Sequence, residues 1–147
     1  MRWLSFYRSS PDASSGPTYT QASFGYVVQT QDGAEGVVDV GMRSEYATLR
    51  EAIAAQALER LVAQCGDQAD VALDGLHFAP TITDPKKILC VGLNYKAHQE
   101  ETGRGGEGVP TVFVRFAAAQ MGHGEPMVRP RESASLDFEG EIAMIIG

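Results

Sequence analysis

Two carboxylates stand directly before an apolar run in the stretch Asp137-Phe138-Glu139-Gly140-Glu141-Ile142-Ala143-Met144-Ile145-Ile146-Gly147. Alternate residues of a strand point to one face, so Glu139 and Glu141 would lie side by side with Cα atoms roughly 6.6 Å apart. An edge strand with two solvated glutamates is the alternative. The tail is apolar on both faces, however, which is typical of a buried strand. Charges beside a buried strand need a partner or a metal, so the stretch predicts a divalent-cation site.

The composition is that of a globular protein. The 147 residues are 44% hydrophobic and 21% charged, which is enough for one domain, or one and a fraction, with a core. A net charge of -7 argues against nucleic acid or an anionic membrane as the main partner.

No apolar run reaches the length of a membrane span, and the first residues lack the apolar region of a signal peptide. We therefore expect a cytoplasmic protein. Cys65 and Cys90 have no metal-type spacing, so we expect small buried hydrophobic residues rather than a disulfide or a nucleophile.

The first half predicts a small antiparallel meander followed by a helical region. Strands are expected at Trp3 to Tyr7, Phe24 to Gln29 and Val37 to Val40, the last two joined by a turn around Asp32-Gly33. Thr48-Leu49-Arg50-Glu51 has the form of a capping box at a helix start, and Gly66 is a stop signal. A slip in the apolar spacing near residues 55–57 leaves open one helix or two.

The connector that follows ends in the predicted domain boundary. A short strand is expected at Val71 to Leu73, and a second apolar patch follows at Leu76 to Phe78. Proline and polar residues make Thr81 to Lys87 the expected linker, which gives domains of residues 1–80 and 81–147.

The second part opens with a buried-type strand, Lys87 to Gly92. If Asn94 caps the next helix, His98 and Glu101 fall three residues apart on one face, at the carboxyl end of a strand. A histidine held by a carboxylate can act as a general base near neutral pH. On spacing alone, a solvated surface contact between the two side chains is the favoured interpretation. His77 and His123 show no such partner and are interpreted as structural.

Residues 103–108 lack the ending of a phosphate-binding loop, so a surface loop or lid is the better interpretation. Strands are then predicted at Thr111 to Arg115 and at Met127-Val128, on either side of a turn at Gly122 to Pro126. Arg115 could contact a substrate carboxylate, or could form a surface salt bridge.

Three runs in order carry a resemblance to a known family. KILCVGLNYKAHQEE, PTVFVRF and VRPRESASLDFEGEIAMIIG resemble the fumarylacetoacetate hydrolase family, whose members share VGxNYxxHxxE and D(Y/F)EGE(L/I)AxxIG segments. The N-terminal meander, TLREA and the proline-bearing connector resemble its small N-terminal domain. The resemblance implies an α+β fold: a small meander-plus-helix domain, then the beginning of a mixed β-rich fumarylacetoacetase-like catalytic domain.

The resemblance also implies functional roles. Glu139 and Glu141 become ligands of Mg²⁺, with Mn²⁺ or Ca²⁺ as substitutes, and His98 and Glu101 become the catalytic pair. Arg115 stands where many members have a lysine. Substrates would be diketo acids, acylpyruvates or other 2-keto acids, as in aromatic catabolism. Hydrolysis of a C–C bond would proceed through an enolate stabilised by the metal, and related members decarboxylate, isomerise or dehydrate. A homodimer is expected from the family.

The family's catalytic domain continues well beyond Gly147, and its third metal ligand, an aspartate, and a substrate-binding lysine would lie there. We therefore expect the first part of a metal-dependent hydrolase. A non-catalytic module that pairs with a complementary polypeptide is the second hypothesis. A plain α+β domain in which both motifs are incidental is the third, and the ordered set of motifs argues against it.

Overall fold

The protein is an α+β protein, described here in a computed structural model over residues 1–8, 21–103, 109–136 and 141–147. Its strands are β1 (Trp3–Tyr7), β2 (Ala22–Gln29), β3 (Glu35–Asp39), β4 (Val71–Ala72), β5 (His77–Phe78), β6 (Ile88–Gly92) and β7 (Thr111–Arg115). Its helices are α1 (Val40–Arg43), α2 (Leu49–Ala54), α3 (Leu58–Cys65) and α4 (Lys96–Thr102), and a 3-10 turn spans Ala117–Ala119.

The chain forms two compact units. The first comprises Met1–Thr83 together with Met121–Gly147, and the second comprises Asp84–Gln120. The predicted division into residues 1–80 and 81–147 stays a prediction.

A five-stranded antiparallel sheet in the order β4-β3-β2-β1-β5 organises the first unit. Trp3 lies opposite Tyr26, which lies opposite Val38, so these three side chains share one face. The predicted meander is confirmed. Its third strand ends at Asp39 rather than Val40, because the Asp39 carboxylate accepts a hydrogen bond from the amide of Met42 and begins α1 there.

Helices α2 and α3 cover that face of the sheet. The hydroxyl of Thr48 accepts a hydrogen bond from the amide of Glu51 (3.3 Å), and the Glu51 carboxylate accepts one from the amide of Ala47 (2.9 Å), so a capping arrangement starts α2 as predicted. The chain breaks between the helices at Gln56, which has φ +52°. The two-helix alternative is therefore confirmed.

We expect Gln56→Gly to stabilise the protein by about 0.5–1 kcal/mol, because a left-handed backbone strains any residue with a Cβ. Urea unfolding measures the change. Ala55→Gly is the matched control, since Ala55 has φ -84° and glycine there only adds unfolded-state entropy. Equal destabilisation by both glycines would contradict the assignment of strain to Gln56.

The core lies between this sheet face and the helices. Its buried members are aromatic and aliphatic side chains from β2, β3, the helices and the segment after β5: Phe24, Tyr26, Val38, Val40, Leu49, Ala52, Ala57, Leu61 and Ile82. Burial of this apolar surface is the main force that holds the first unit together.

An ion pair between the half-buried Arg8 and the buried Asp39 joins the strands at one end of the sheet. Asp39 is only 2% exposed, and its carboxylate accepts hydrogen bonds from Nε (2.8 Å) and Nη2 (3.0 Å) of Arg8. Nη2 of Arg8 also donates to the hydroxyl of Ser23 (2.7 Å), which in turn donates to Asp39. The hydrogen bond to Asp39 raises the pKa of Arg8, although burial opposes it. The pair links β1, β2, β3 and the start of α1.

In the second unit, β6 and β7 form an antiparallel ribbon with Leu89 opposite Val114 and Val91 opposite Val112. These four aliphatic side chains share one face, and all four are exposed. The buried-type strand predicted at Lys87 to Gly92 is therefore wrong in its burial, because the described residues place no further layer over this face.

Two other features complete the fold. A turn occurs at His123-Gly124 as predicted, but Met127 and Val128 form no strand. Within the described ranges, no helix combines the length and apolar character needed to cross a membrane.

Candidate active site

The strand-to-helix junction after β6 carries the predicted catalytic pair. Leu93 follows the strand with φ +55°, and Tyr95, in an extended conformation, is the residue from which α4 begins. The prediction that Asn94 caps this helix is wrong. The left-handed turn at Leu93 places the last extended residue at Tyr95, whose side chain makes no capping hydrogen bond.

The structure brings His98 and Glu101 together on one face of α4. Nδ1 of His98 lies 3.9 Å from Oε2 of Glu101, and the side chains are 43% and 81% exposed. This distance is too long for a hydrogen bond. It still allows ionic attraction between the two solvent-exposed side chains. The imidazole is open to water and to a small molecule.

Arg115 is the last residue of β7. Its Nη2 donates to the carbonyl of Ala119 (3.1 Å), which closes the 3-10 turn that follows the strand. A guanidinium carries five N–H donors, so this bond leaves capacity for a carboxylate ligand. The described contact is thus neither of the two alternatives that the sequence left open for this residue.

The predicted metal-binding stretch is only partly described. Glu139 lies outside the described residues, and Glu141 is exposed. Residues 141–147 have no regular structure, and Ile146 is 87% exposed. The prediction of a buried strand is wrong for this segment, because no described strand pairs with it.

A divalent cation needs several oxygen or nitrogen ligands that lie close together. Among the described residues, no three His, Cys, Asp or Glu side chains lie close enough to hold a metal ion. Glu141 supplies one hard carboxylate oxygen of the kind Mg²⁺ prefers. The described residues therefore do not form a metal centre by themselves.

A histidine–carboxylate contact and a histidine–phenylalanine contact were not predicted from the sequence. Nδ1 of His77, on β5, lies 2.8 Å from Oε1 of Glu125, and the ring of His123 packs edge-on against Phe78 with 5.5 Å between centroids. The expectation that His77 lacks a carboxylate partner is wrong. Because the two residues are far apart in the sequence, no local spacing signals the contact.

The cysteines are free and half-buried. Burial raises the pKa of the Cys65 thiol, which disfavours the nucleophilic thiolate. The prediction that both cysteines are buried is wrong, because each is only half-buried.

A histidine–carboxylate pair on a helix that follows a strand is an arrangement suited to enzymes that move protons. The profile described as fumarylacetoacetate (FAA) hydrolase C-terminal matches residues 87–147. Over this segment the chain is similar to the fumarylacetoacetate hydrolase family.

Relatives support the same assignment. A protein of unassigned function from Archaeoglobus fulgidus is 36% identical over 80 residues, which cover 54% of this chain and 32% of that protein. The mitochondrial oxaloacetate tautomerase of Xenopus laevis is 39% identical over 66 residues, 45% of this chain and 21% of that protein. A fumarylacetoacetate hydrolase domain-containing protein of Dictyostelium discoideum is 39% identical over 64 residues, 44% and 21% of the two chains.

The chain thus spans about a third or less of the length of the curated relatives it matches. The comparison with solved structures gave no significant match.

Proposed function

We propose that this chain contributes the proton-transfer part of an enzyme that interconverts the keto and enol forms of a 2-keto acid such as oxaloacetate. The observation that carries the proposal is the 3.9 Å approach of Nδ1 of His98 to Glu101 on an exposed helix. The relatives named oxaloacetate tautomerase support the choice of reaction.

In this mechanism the neutral imidazole of His98 removes a proton from the carbon next to the keto group. The electron pair of that C–H bond becomes the C=C bond, and the carbonyl π pair moves to oxygen. The proton is then delivered to that oxygen, which gives the enol. Glu101 stabilises the imidazolium that exists between the two transfers. Arg115 is proposed to hold the substrate carboxylate.

We also propose that Glu139 and Glu141 contribute to a Mg²⁺ site, for which Mn²⁺ or Ca²⁺ can substitute. Such an ion supplies Lewis-acid stabilisation of negative charge on oxygen. The proposal rests on the preference of Mg²⁺ for carboxylate oxygens and on the similarity of residues 87–147 to the fumarylacetoacetate hydrolase family. The described residues alone do not form the site.

C–C bond hydrolysis in diketo acids or acylpyruvates is the second candidate. The similarity of residues 87–147 to a family of hydrolases favours it. The exposure of His98 leaves room for a water molecule that the same base could activate. Decarboxylation would share the enolate but release carbon dioxide.

Turnover distinguishes these candidates. The chain would be tested as residues 1–147 and in a version extended to the length of its relatives, with Mg²⁺ and either oxaloacetate or acetylpyruvate. Loss of enol absorbance without cleavage products supports tautomerisation, whereas acetate and pyruvate from acetylpyruvate would show hydrolysis, and carbon dioxide decarboxylation. An extended chain that neither binds Mg²⁺ nor converts either substrate would contradict both candidates and favour a non-catalytic module.

Glu139→Ala and Glu141→Ala, each made in the extended chain, should weaken Mg²⁺ binding at least about tenfold, because each removes a charged oxygen ligand. Isothermal titration calorimetry measures the affinity. Glu132→Ala removes an exposed carboxylate nearby and is the matched control. Equal affinity in all three variants would contradict the assignment of both ligands.

A homodimer and a cytoplasmic location stay predictions for this chain. The Xenopus, bovine and human relatives are mitochondrial proteins. Sedimentation of the extended chain and imaging of a tagged protein in its own cell would test them.

A further inference from the structure

One side chain links helix α4 to the turn that precedes it. Nε2 of Gln99 donates a hydrogen bond to the carbonyl oxygen of Leu93, at 2.5 Å. We propose that Gln99 is a positioning residue for His98, because this bond fixes the turn from which α4 begins. The inference rests on the proposed function of His98.

Helix α4 has few other means of support. It contains seven residues, none of them buried, and no side chain caps its first turn. Short helices are marginal in water unless tertiary contacts hold them. The bond from Gln99 to Leu93 is local, but it ties the middle of α4 to the residue directly after β6 and so adds a support that the helix itself lacks.

The turn itself needs holding. Leu93 has φ +55°, a left-handed conformation that costs free energy for a residue with a Cβ. The Gln99 amide binds the carbonyl of this same residue, so it favours the strained turn over an extended alternative. If the turn relaxed, the first residues of α4 would change direction.

His98 depends on that direction because it is the residue directly before Gln99. A rotation or fraying of α4 would move the imidazole relative to a bound substrate and relative to Glu101. Misplacement of a reacting group by about 1 Å can cost roughly 100-fold in rate.

The first test is structural and needs no substrate. In residues 1–147, Gln99→Ala should move the NMR Cα shifts of residues 96–102 towards coil values, although alanine is the better helix former. Glu100→Ala is the matched control, because it makes a similar gain in propensity on the same helix and keeps the bond. Unchanged shifts in Gln99→Ala would overturn the proposal.

The second test uses turnover of oxaloacetate by the extended chain. Gln99→Ala should lower kcat by about 10- to 100-fold with little change in KM. Leu93→Gly removes the penalty of the left-handed turn, so in that background Gln99→Ala should cost no more than about threefold. An equal loss in both backgrounds would contradict the positioning role proposed for Gln99.

The two proposals can fail separately. Suppose that the NMR shifts respond as expected but the unmodified extended chain converts no 2-keto acid. The proposed reaction is then wrong, and the support of α4 by Gln99 stands. Suppose instead that the extended chain converts oxaloacetate and that Gln99→Ala changes neither the NMR shifts nor the rate. The positioning role of Gln99 is then wrong, and the proposed reaction stands.

Discussion

Replacing His98 by glutamine should lower kcat for oxaloacetate tautomerisation in the extended chain by about 10²–10⁴-fold, the usual contribution of a positioned general base. Glutamine keeps a polar side chain of similar size but cannot accept the proton. KM and Mg²⁺ affinity should change little, because the proposed contacts to the substrate carboxylate and to the ion come from other residues. The rate of change of enol absorbance is the measurement.

Lys96→Gln is the control for this substitution. Lys96 lies on the same helix, its side chain is 89% exposed, and its contact with Glu100 is long at 3.9 Å. A surface pair of this kind contributes little. If His98→Gln kept the rate of Lys96→Gln, the assignment of His98 as the base would be wrong.

Removing the carboxylate of Asp39 should destabilise the first unit by about 2–4 kcal/mol, because the substitution removes the charged acceptor of the half-buried Arg8 and the cap of α1. Asp39→Ala also deprives the hydroxyl of Ser23 of its acceptor. Urea unfolding of residues 1–147 measures the loss.

A double-mutant cycle separates the ion pair from the cap. Asp39→Ala should cost less in an Arg8→Ala background, where the ion pair is already absent, and the residual loss is then that of the cap and of the Ser23 hydrogen bond. Asp74→Ala, at an exposed position in the turn before β5, should change stability by no more than about 0.5 kcal/mol. Additive losses in the cycle would show that Arg8 and Asp39 are not coupled.

Local patterns in the sequence were sufficient for much of the first unit. β1 and β2 follow from their aromatic and β-branched residues, and α2 from the Thr48 capping motif, because these signals lie within a few residues of the structure they specify. The slip in apolar spacing near Gln56 left one helix or two as alternatives, and the structure has two. The pairing of Arg8 with Asp39 could not be predicted, since it depends on how three strands come together.

The site was predictable only in part. The spacing of His98 and Glu101 is a local property of a helix, and the structure brings them together. The apolar tail was assigned to a buried strand, but burial depends on what packs against a segment and not on its own hydrophobicity. The role proposed for Gln99 depends on the left-handed turn at Leu93, which no residue type in the turn signals.

The packing of Trp3 gives the protein a built-in optical probe. It is the chain's single tryptophan, and its ring contacts Tyr26 edge-on, with 5.0 Å between centroids. Tryptophan emission will therefore report the melting of the five-stranded sheet, while residues 84–120 stay spectroscopically silent in that channel. Far-ultraviolet circular dichroism records both units. If the two signals give separate midpoints in one titration, β6, α4 and β7 unfold as an independent cooperative unit.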